Sequence, residues 1–254
     1  MITGYKDKSE YTDKNGIRSV VYLMDNMEAM AQMKPKQYDL AICDPPYGLG
    51  ESSKNRNGIS KLKDKRNGRI SFVETKSEIK IWDNEPPNTE YFTKLQIVSK
   101  NQIIFGANHF IENIQNPNSS SWIVWDKCNG TSDFADCELA WTSFNKAVRQ
   151  FRYMWNGMFK GKESFTEGHV SEGNLSKHEK RIHKTQKPVI LYEWLLANYA
   201  KEGNKIIDPN LGSGSSRIAC YNRGFDFTGF EIDPDYFRDG NRRFRNHIKQ
   251  QKLF

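Results

Sequence analysis

The chain predicts an α/β fold built on a doubly wound, mainly parallel sheet. Two observations carry that expectation. Apolar runs of strand length alternate with helical stretches along the 254 residues, and two of those runs end in turns suited to holding a ligand. A chain of this length can bury a large sheet between helices on both faces, so residues 1–254 read as one domain.

Ile17 to Met24 is apolar and β-branched enough for a strand ending at Asp25, with a short helical stretch through Met33. Tyr38 to Cys43 has the near-continuous apolar character of a buried parallel strand. Glu51 to Arg69 changes character. Lys54, Arg56, Lys61, Lys63, Lys65, Arg66 and Arg69 are mixed there with Asn, Gly and Ser, which predicts a mobile basic loop within residues 49–80. Asn88 to Lys100 reads as a helix, and Gln102 to Phe105, Trp122 to Trp125 and Cys137 to Trp141 as strands. Phe151 to Arg181 is polar and glycine-containing, which predicts an irregular insertion over residues 151–182. Lys187 to Ala200 is a helix with Pro188 in its first turn, where proline is tolerated. Lys205 to Ile207 is a strand ending at Asp208, Gly214 to Tyr221 opens a helix, Phe225 to Glu231 is a strand, and Asp235 to Gln250 is a basic terminal helix.

A net charge of +7 favours a polyanionic partner, and clustering of the charge matters more than its total. Cys43, Cys128, Cys137 and Cys220 are too far apart for a C-x-x-C pair, which argues against a disulfide frame or a zinc site. No run approaches membrane-spanning length, and the first residues lack a signal-peptide core. These features predict a cytoplasmic protein with no bound metal.

Asp44-Pro45-Pro46-Tyr47-Gly48 is the most informative stretch. Pro45 and Pro46 fix φ near −65° and carry no N–H, so the turn is stiff and its carbonyls can accept hydrogen bonds. Stiff acceptors beside an aromatic ring suit a planar ligand bearing an amino group; a plain strand-ending turn is the other reading. Asp208-Pro209-Asn210-Leu211-Gly212-Ser213-Gly214-Ser215 lies between a strand and a helix. Its glycines allow close backbone approach, and the next strand ends in an acid, Glu231, where open α/β folds grip ribose hydroxyls. The dinucleotide fingerprint is incomplete, because Arg217 stands in the third glycine's place, and no Gly-Lys-Ser/Thr of a P-loop occurs. NAD and ATP are thereby disfavoured and S-adenosylmethionine favoured.

With these motifs in view, the chain resembles the amino-group DNA methyltransferases of the permuted, β-class-like arrangement. Asp44-Pro45-Pro46-Tyr47 is similar to their catalytic motif, Asp208 to Ser215 to their D-P-F-x-G-S-G-T cofactor loop, and His183-Lys184-Thr185-Gln186-Lys187-Pro188 to their H-P-T-Q-K-P segment. The resemblance spans roughly residues 17 to 245, with Asn210 where the family has Phe and Lys184 where it has Pro. It implies a seven-stranded Rossmann-like methyltransferase sheet with recognition insertions. It also implies methyl transfer from S-adenosylmethionine to N6 of adenine or N4 of cytosine in double-stranded DNA, within a bacterial or phage restriction–modification setting. Asp at the first motif position leans towards adenine, since the cytosine enzymes more often carry Ser.

On this resemblance Asp44 and the Pro45 carbonyl accept the two N–H bonds of the target amine, Pro46 stiffens the turn, and Tyr47 stacks on a base flipped out of the duplex. Asp208, Asn210, Gly212, Ser213 and Gly214 form the cofactor loop, Glu231 takes the ribose, and Thr185 and Lys187 meet the cofactor from the preceding segment. Lys187 is equally readable as a solvated lysine. Asp25 ends a strand expected beside the cofactor strand and either touches the cofactor adenine or caps a helix. Asp233 is read as a cap, His109 as structural, Trp122, Trp125 and Trp141 as core, and the arginines of the terminal helix as solvated. The basic loop supplies DNA phosphate contacts, residues 151–182 are the candidate target-recognition insertion, and a homodimer is a family expectation. Methylation of RNA or of a protein amide, and a non-catalytic DNA-binding role, are the remaining readings.

Overall fold

The computed structural model describes residues 2–48, 85–128, 135–155, 182 and 185–250, with backbone alone for 58–63, 70–75, 156, 159–161 and 251. In chain order the elements are β1 (Asp7–Thr12), β2 (Arg18–Leu23), α1 (Asn26–Met30), β3 (Tyr38–Cys43), β4 (Gly58–Lys63), β5 (Ile70–Thr75), α2 (Thr89–Val98) and β6 (Ser99–Phe105). After two 3₁₀ turns, Ala107–His109 and Ile111–Asn113, come β7 (Trp122–Asp126), β8 (Cys137–Thr142), β9 (Arg149–Arg152), β10 (Met154–Asn156) and β11 (Phe159–Gly161). The chain ends with α3 (Val189–Tyr199), β12 (Lys205–Asp208), α4 (Ser215–Arg223), β13 (Asp226–Glu231) and α5 (Pro234–Gln251).

Among the described residues the main sheet has nine strands, in the order β1-β2-β13-β12-β3-β6-β8-β7-β9, instead of the seven expected. The inner seven are the seven strands read from the sequence, and one strand is added at each edge. β2, β13, β12, β3 and β6 run parallel, and β8 is antiparallel to both of its neighbours. The edge strand β1 escaped notice because Asp-Lys-Ser-Glu-Tyr-Thr is mostly exposed and shows no apolar run. It pairs antiparallel with β2 through a turn in which Asp13 Oδ1 accepts from Asn15 N and Ile17 N, each at 2.8 Å. β9 overlaps the start of the expected insertion and joins the sheet parallel to β7, with Phe151 buried as its anchor. β10 and β11 form a small antiparallel pair there, and β4 and β5 another where a loop was expected.

Side chains on the parallel strands alternate between two apolar layers, as a strand period of two requires. Leu40, Ile42, Ile103, Phe105 and Ile206 face α3 and α4, meeting Leu191, Leu195 and Ala219. Ala41, Cys43, Ile104 and Ile207 face α1 and α2, meeting Ala29, Tyr91, Phe92 and Leu95. Trp125 and Trp141 are core, as expected, each donating its indole N–H to a backbone carbonyl.

Arg217, at the third-glycine position, is a buried tie and no cofactor contact. Its guanidinium donates to Ser19 Oγ at 2.8 Å and Asn241 Oδ1 at 2.6 Å, reaches Ser9 on β1, and lies over the Phe244 ring. It thus links α4, β1, β2 and α5. The terminal helix is not wholly solvated either. Arg238, Arg242, Arg245 and Lys249 are exposed, but Arg243 turns inward and donates to Ser213 O at 2.7 Å.

The two-layer packing makes a stability prediction. Ile103 is fully buried, so Ile103→Ala lowers unfolding free energy by about 2–5 kcal/mol in urea titrations. Ile97 is 47 % exposed, so Ile97→Ala changes it by no more than about 0.5 kcal/mol. Equal losses would contradict the layer assignment.

Candidate functional site

β3 and β12 lie side by side, with Ile206 opposite Leu40 and Ile207 opposite Ala41. The chain leaves them in opposite directions, from β12 through α4 to β13 and from β3 through α2 to β6. This is a topological switch point, and a crevice opens beyond the carboxyl ends of such strands. Asp44 follows one strand and Asp208 ends the other, so two motifs far apart in sequence share one crevice.

In the Asp44 turn, Tyr47 Oη donates to Asp44 Oδ1 at 2.7 Å. The Tyr47 ring lies against Gly106, where an added Cβ would come within 2.2 Å of it; Gly106 also has φ of +67°, which suits glycine. His109, exposed at the end of the following 3₁₀ turn, stacks on Tyr47 with centroids 5.1 Å apart and planes 19° apart. Pro45 is buried and Pro46 half-buried. Cys43 lies beneath, where burial pushes its thiol well above the ordinary range, so it is no nucleophile.

Lys187 is not the solvated lysine that the sequence allowed. It precedes α3, which begins at Val189 with Pro188 as its N-cap, and its side chain is only 4 % exposed. Nζ lies 2.6 Å from Asp44 Oδ2 and donates to Tyr47 Oη at 3.1 Å. Nζ also forms an ion pair with Glu138, 3.1 Å from its buried Oε2. Glu138 Oε1 meets Lys127 Nζ at 2.6 Å. Burial drives the Asp44 carboxyl up, against the pull of Lys187. Burial also opposes the Lys187 charge, but Asp44 and Glu138 hold the ammonium protonated. For Glu138, burial is overcome by Lys187 and Lys127 together, which bring its carboxyl down to about 2. Glu138 was missed in the sequence because a lone acid in an apolar strand carries no motif signal.

The glycine loop is tied from several sides. Asp208 accepts from Asn210 N at 3.0 Å and Ser216 Oγ at 2.5 Å, and burial raises its pKa to about 7. Glu231 accepts from Gly212 N and Asp233 N, each at 2.8 Å, and burial likewise raises it to about 7. Gly214, at φ of +76°, is the N-cap position of α4. Ser213 is buried, and Ser215 Oγ donates to the Lys187 carbonyl at 2.7 Å, so Lys187 joins this loop by its backbone and the Asp44 turn by its side chain. Asn210, in place of the family's Phe, accepts from Tyr91 Oη at 2.5 Å. Ile232, next to Glu231, is an exposed apolar side chain that sequence reasoning passed over.

Asp25 caps α1, accepting from Met27 N and Glu28 N. It does not end a strand adjacent to the cofactor strand, because β13 pairs with both β2 and β12 and lies between them. Its neighbour Asn26 still reaches the loop, donating to Pro209 O at 3.0 Å. Asp233 caps α5, as expected, accepting from Asp235 N and Tyr236 N. Thr185 is exposed. Lys61 and Lys63 fall on β4, described by backbone alone, while Lys54, Arg56, Lys65, Arg66, Arg69, His183 and Lys184 lie outside the described residues. Among the described residues no group of three or more His, Cys, Asp or Glu could hold a metal ion, and no helix is long and apolar enough to cross a membrane.

The two buried acids give a pH prediction. A carboxyl whose folded pKa is raised contributes its full stability below the unfolded value and loses it as pH rises through the folded one. The window runs from 3.8 to about 7 for Asp208 and from 4.5 to about 7 for Glu231. The unfolding midpoint therefore falls across this window, and Asp208→Asn makes the fall shallower. An unchanged slope in the variant would refute the burial argument.

Comparison with known proteins agrees with this geometry. A DNA methylase family model, for N6 and N4 amino groups, matches residues 38–242. The chain is 24 % identical over a 255-residue alignment to the type II methyltransferase M2.DpnII of Streptococcus pneumoniae, covering 92 % of this chain and 91 % of that protein. It is 22 % identical to M.HinfI of Haemophilus influenzae, covering 91 % and 69 %. Among solved structures, the M1.HpyAVI–SAM complex superposes with a TM-score of 0.51 at 21 % identity, covering 88 % of this chain and 98 % of that one. The PvuII DNA methyltransferase, described as cytosine-N4-specific, gives 0.53 at 12 % identity, covering 95 % and 90 %. At such identities the structures establish a shared fold.

Proposed function

The chain belongs to the N6/N4 DNA methylase family, and on that premise we propose that it methylates N6 of an adenine flipped out of double-stranded DNA. As a family member it is an S-adenosylmethionine-dependent DNA methyltransferase. The observation that carries the finer reading is the Asp44–Tyr47–Lys187 unit, a carboxylate and a ring locked together at the end of β3 beside the glycine loop of β12.

S-Adenosylmethionine, when bound, supplies an electrophilic methyl group on a positively charged sulfur. The residues of the second crevice wall fit such a group. Glu231 stands at a strand end for the ribose hydroxyls, exposed Ile232 offers an apolar face to the adenine, and the Gly212–Gly214 turn leaves room for the methionine part. Asp208, Asn210 and Ser213 shape that turn. Thr185 and Asp25 are assigned to the cofactor in this reading by the family resemblance alone.

An exocyclic amine is a poor nucleophile because its lone pair is delocalised into the ring. Asp44 and the Pro45 carbonyl accept its two N–H bonds and favour a pyramidal nitrogen with the lone pair directed at the methyl carbon. That lone pair would take up the methyl group, the S–C bonding pair being left on the sulfur. The nitrogen, now cationic, gives up one hydrogen as a proton, and Asp44 is the acceptor placed to take it. Pro46 keeps the turn stiff, and Tyr47 stacks on the base, whose extrusion costs a few kcal/mol.

The β4–β5 hairpin follows the catalytic turn and carries Lys61 and Lys63, which in this reading meet DNA phosphates together with the basic residues around it. Residues 151–182 serve target recognition, and a homodimer in the bacterial cytoplasm is the assembly that the family suggests. Asp at the first motif position supports adenine over cytosine. The test is to incubate the protein with DNA and methyl-labelled S-adenosylmethionine, digest to nucleosides and identify the labelled base by mass spectrometry. Label in N6-methyladenine is the expected result; label in N4-methylcytosine overturns the adenine assignment, and no label in DNA overturns the activity.

A further inference from the structure

Glu138 reaches the catalytic turn from β8, on the far side of β6 from β3, and no motif points to it. Its place in the site follows from how the Lys187 ammonium is shared. Lys187 touches Asp44, and a lone ammonium there would cancel much of the carboxylate's negative charge. An acceptor for a nitrogen that turns cationic needs that charge. Glu138 Oε2, 3.1 Å from the same Nζ, draws on the same ammonium, so Lys187 is shared between two carboxylates and cancels less of the charge on Asp44. Lys127 is held on the outer oxygen, Oε1, where it fixes the carboxylate in position without approaching Asp44 by any contact described.

The arrangement also fixes geometry. Lys187 is held between Asp44 Oδ2, Tyr47 Oη and Glu138 Oε2, and Asp44 in turn is gripped at both oxygens. Remove the Glu138 charge and a buried ammonium is left to Asp44 alone. We infer that Glu138 is a positioning residue for methyl transfer, acting through Lys187 to hold the Asp44 carboxylate in place beside the target amine. This rests on the proposed reading of the Asp44 turn as the target-amine site.

Its test is Glu138→Gln in the full chain, with methyl-labelled S-adenosylmethionine and DNA. The expected outcome is a fall in kcat of about a hundredfold, the order of loss that a misplacement of ~1 Å causes. KM for DNA and calorimetric affinity for S-adenosylmethionine stay near the parental values. The pH profile adds a readout that a merely structural role does not move. Asp44 is faced by Lys187, Tyr47, Glu138 and, across the crevice, Asp208, and the like charge of Glu138 raises its pKa. Neutral Gln at this position therefore moves the acid limb of kcat to lower pH. Parental kcat with an unmoved acid limb overturns the inference while leaving the proposed function intact. A parent protein that labels no DNA overturns both. Should Glu138→Gln fail to fold, Glu138→Asp keeps the charge with a shorter reach. It is then expected to bind S-adenosylmethionine normally with lowered kcat, and parental kcat in that variant refutes the positioning role.

Discussion

The parallel pairing of β3 with β12 is the constraint on which the site depends. Those two strands are separated by most of the chain, yet their register brings Asp44 and Asp208 to neighbouring positions on one rim. Both strands are apolar on both faces, so a slip of one residue would carry each side chain to the opposite layer. The packing that stabilises the fold thus also sets the distance between the two motifs. No separate device is needed to bring them together.

Lys187 then joins what the strands have aligned. Its carbonyl accepts from Ser215 of the glycine loop and its ammonium meets Asp44, so one residue spans both halves of the crevice. Burying an ammonium costs several kcal/mol unless it is paired. Asp44 and Glu138 supply that pairing, and Lys127 balances the second carboxylate, so two positive and two negative groups share the site. Such an arrangement is weak evidence for stability, since apolar side chains could fill the same volume. It is better explained by the proposed role of the Asp44 turn, which uses one of its members.

Much of this was legible in the sequence, and what was missed has physical causes. The seven inner strands announce themselves because their apolar side chains pack into the core, and Tyr38–Cys43, buried along almost its whole length, has its bounds legible to the residue. Strands stabilised by backbone pairing leave no such mark. β1 is polar, and the β4–β5 hairpin lies in a stretch whose lysines, glycines and asparagines resemble a loop. Within the candidate site, the residues that short motifs present, among them Asp44, Tyr47, Asp208 and Glu231, come from the two strand ends that the sheet sets side by side, β3 and β12, and from β13 next to them. Side chains that matter through three-dimensional proximity are not legible in this way. Glu138 has no local signature, Lys187 reads equally as a cofactor contact or a solvated lysine until its burial against Asp44 is seen, and Gly106 shows its purpose only once the Tyr47 ring is seen against it. Asp25 was placed one strand too close, because sequence order says nothing about β13 coming between.

The central claim is that the two strand ends divide the work, the β3 end holding the target amine and the β12 end the cofactor. Calorimetric titration of S-adenosylmethionine into Asp44→Asn and Asp208→Asn, with methyl transfer to DNA measured on the same preparations, addresses it directly. The account predicts that Asp44→Asn binds the cofactor as the parent does but transfers almost nothing, while Asp208→Asn loses cofactor affinity. Loss of cofactor binding in Asp44→Asn, or parental binding in Asp208→Asn, would contradict it.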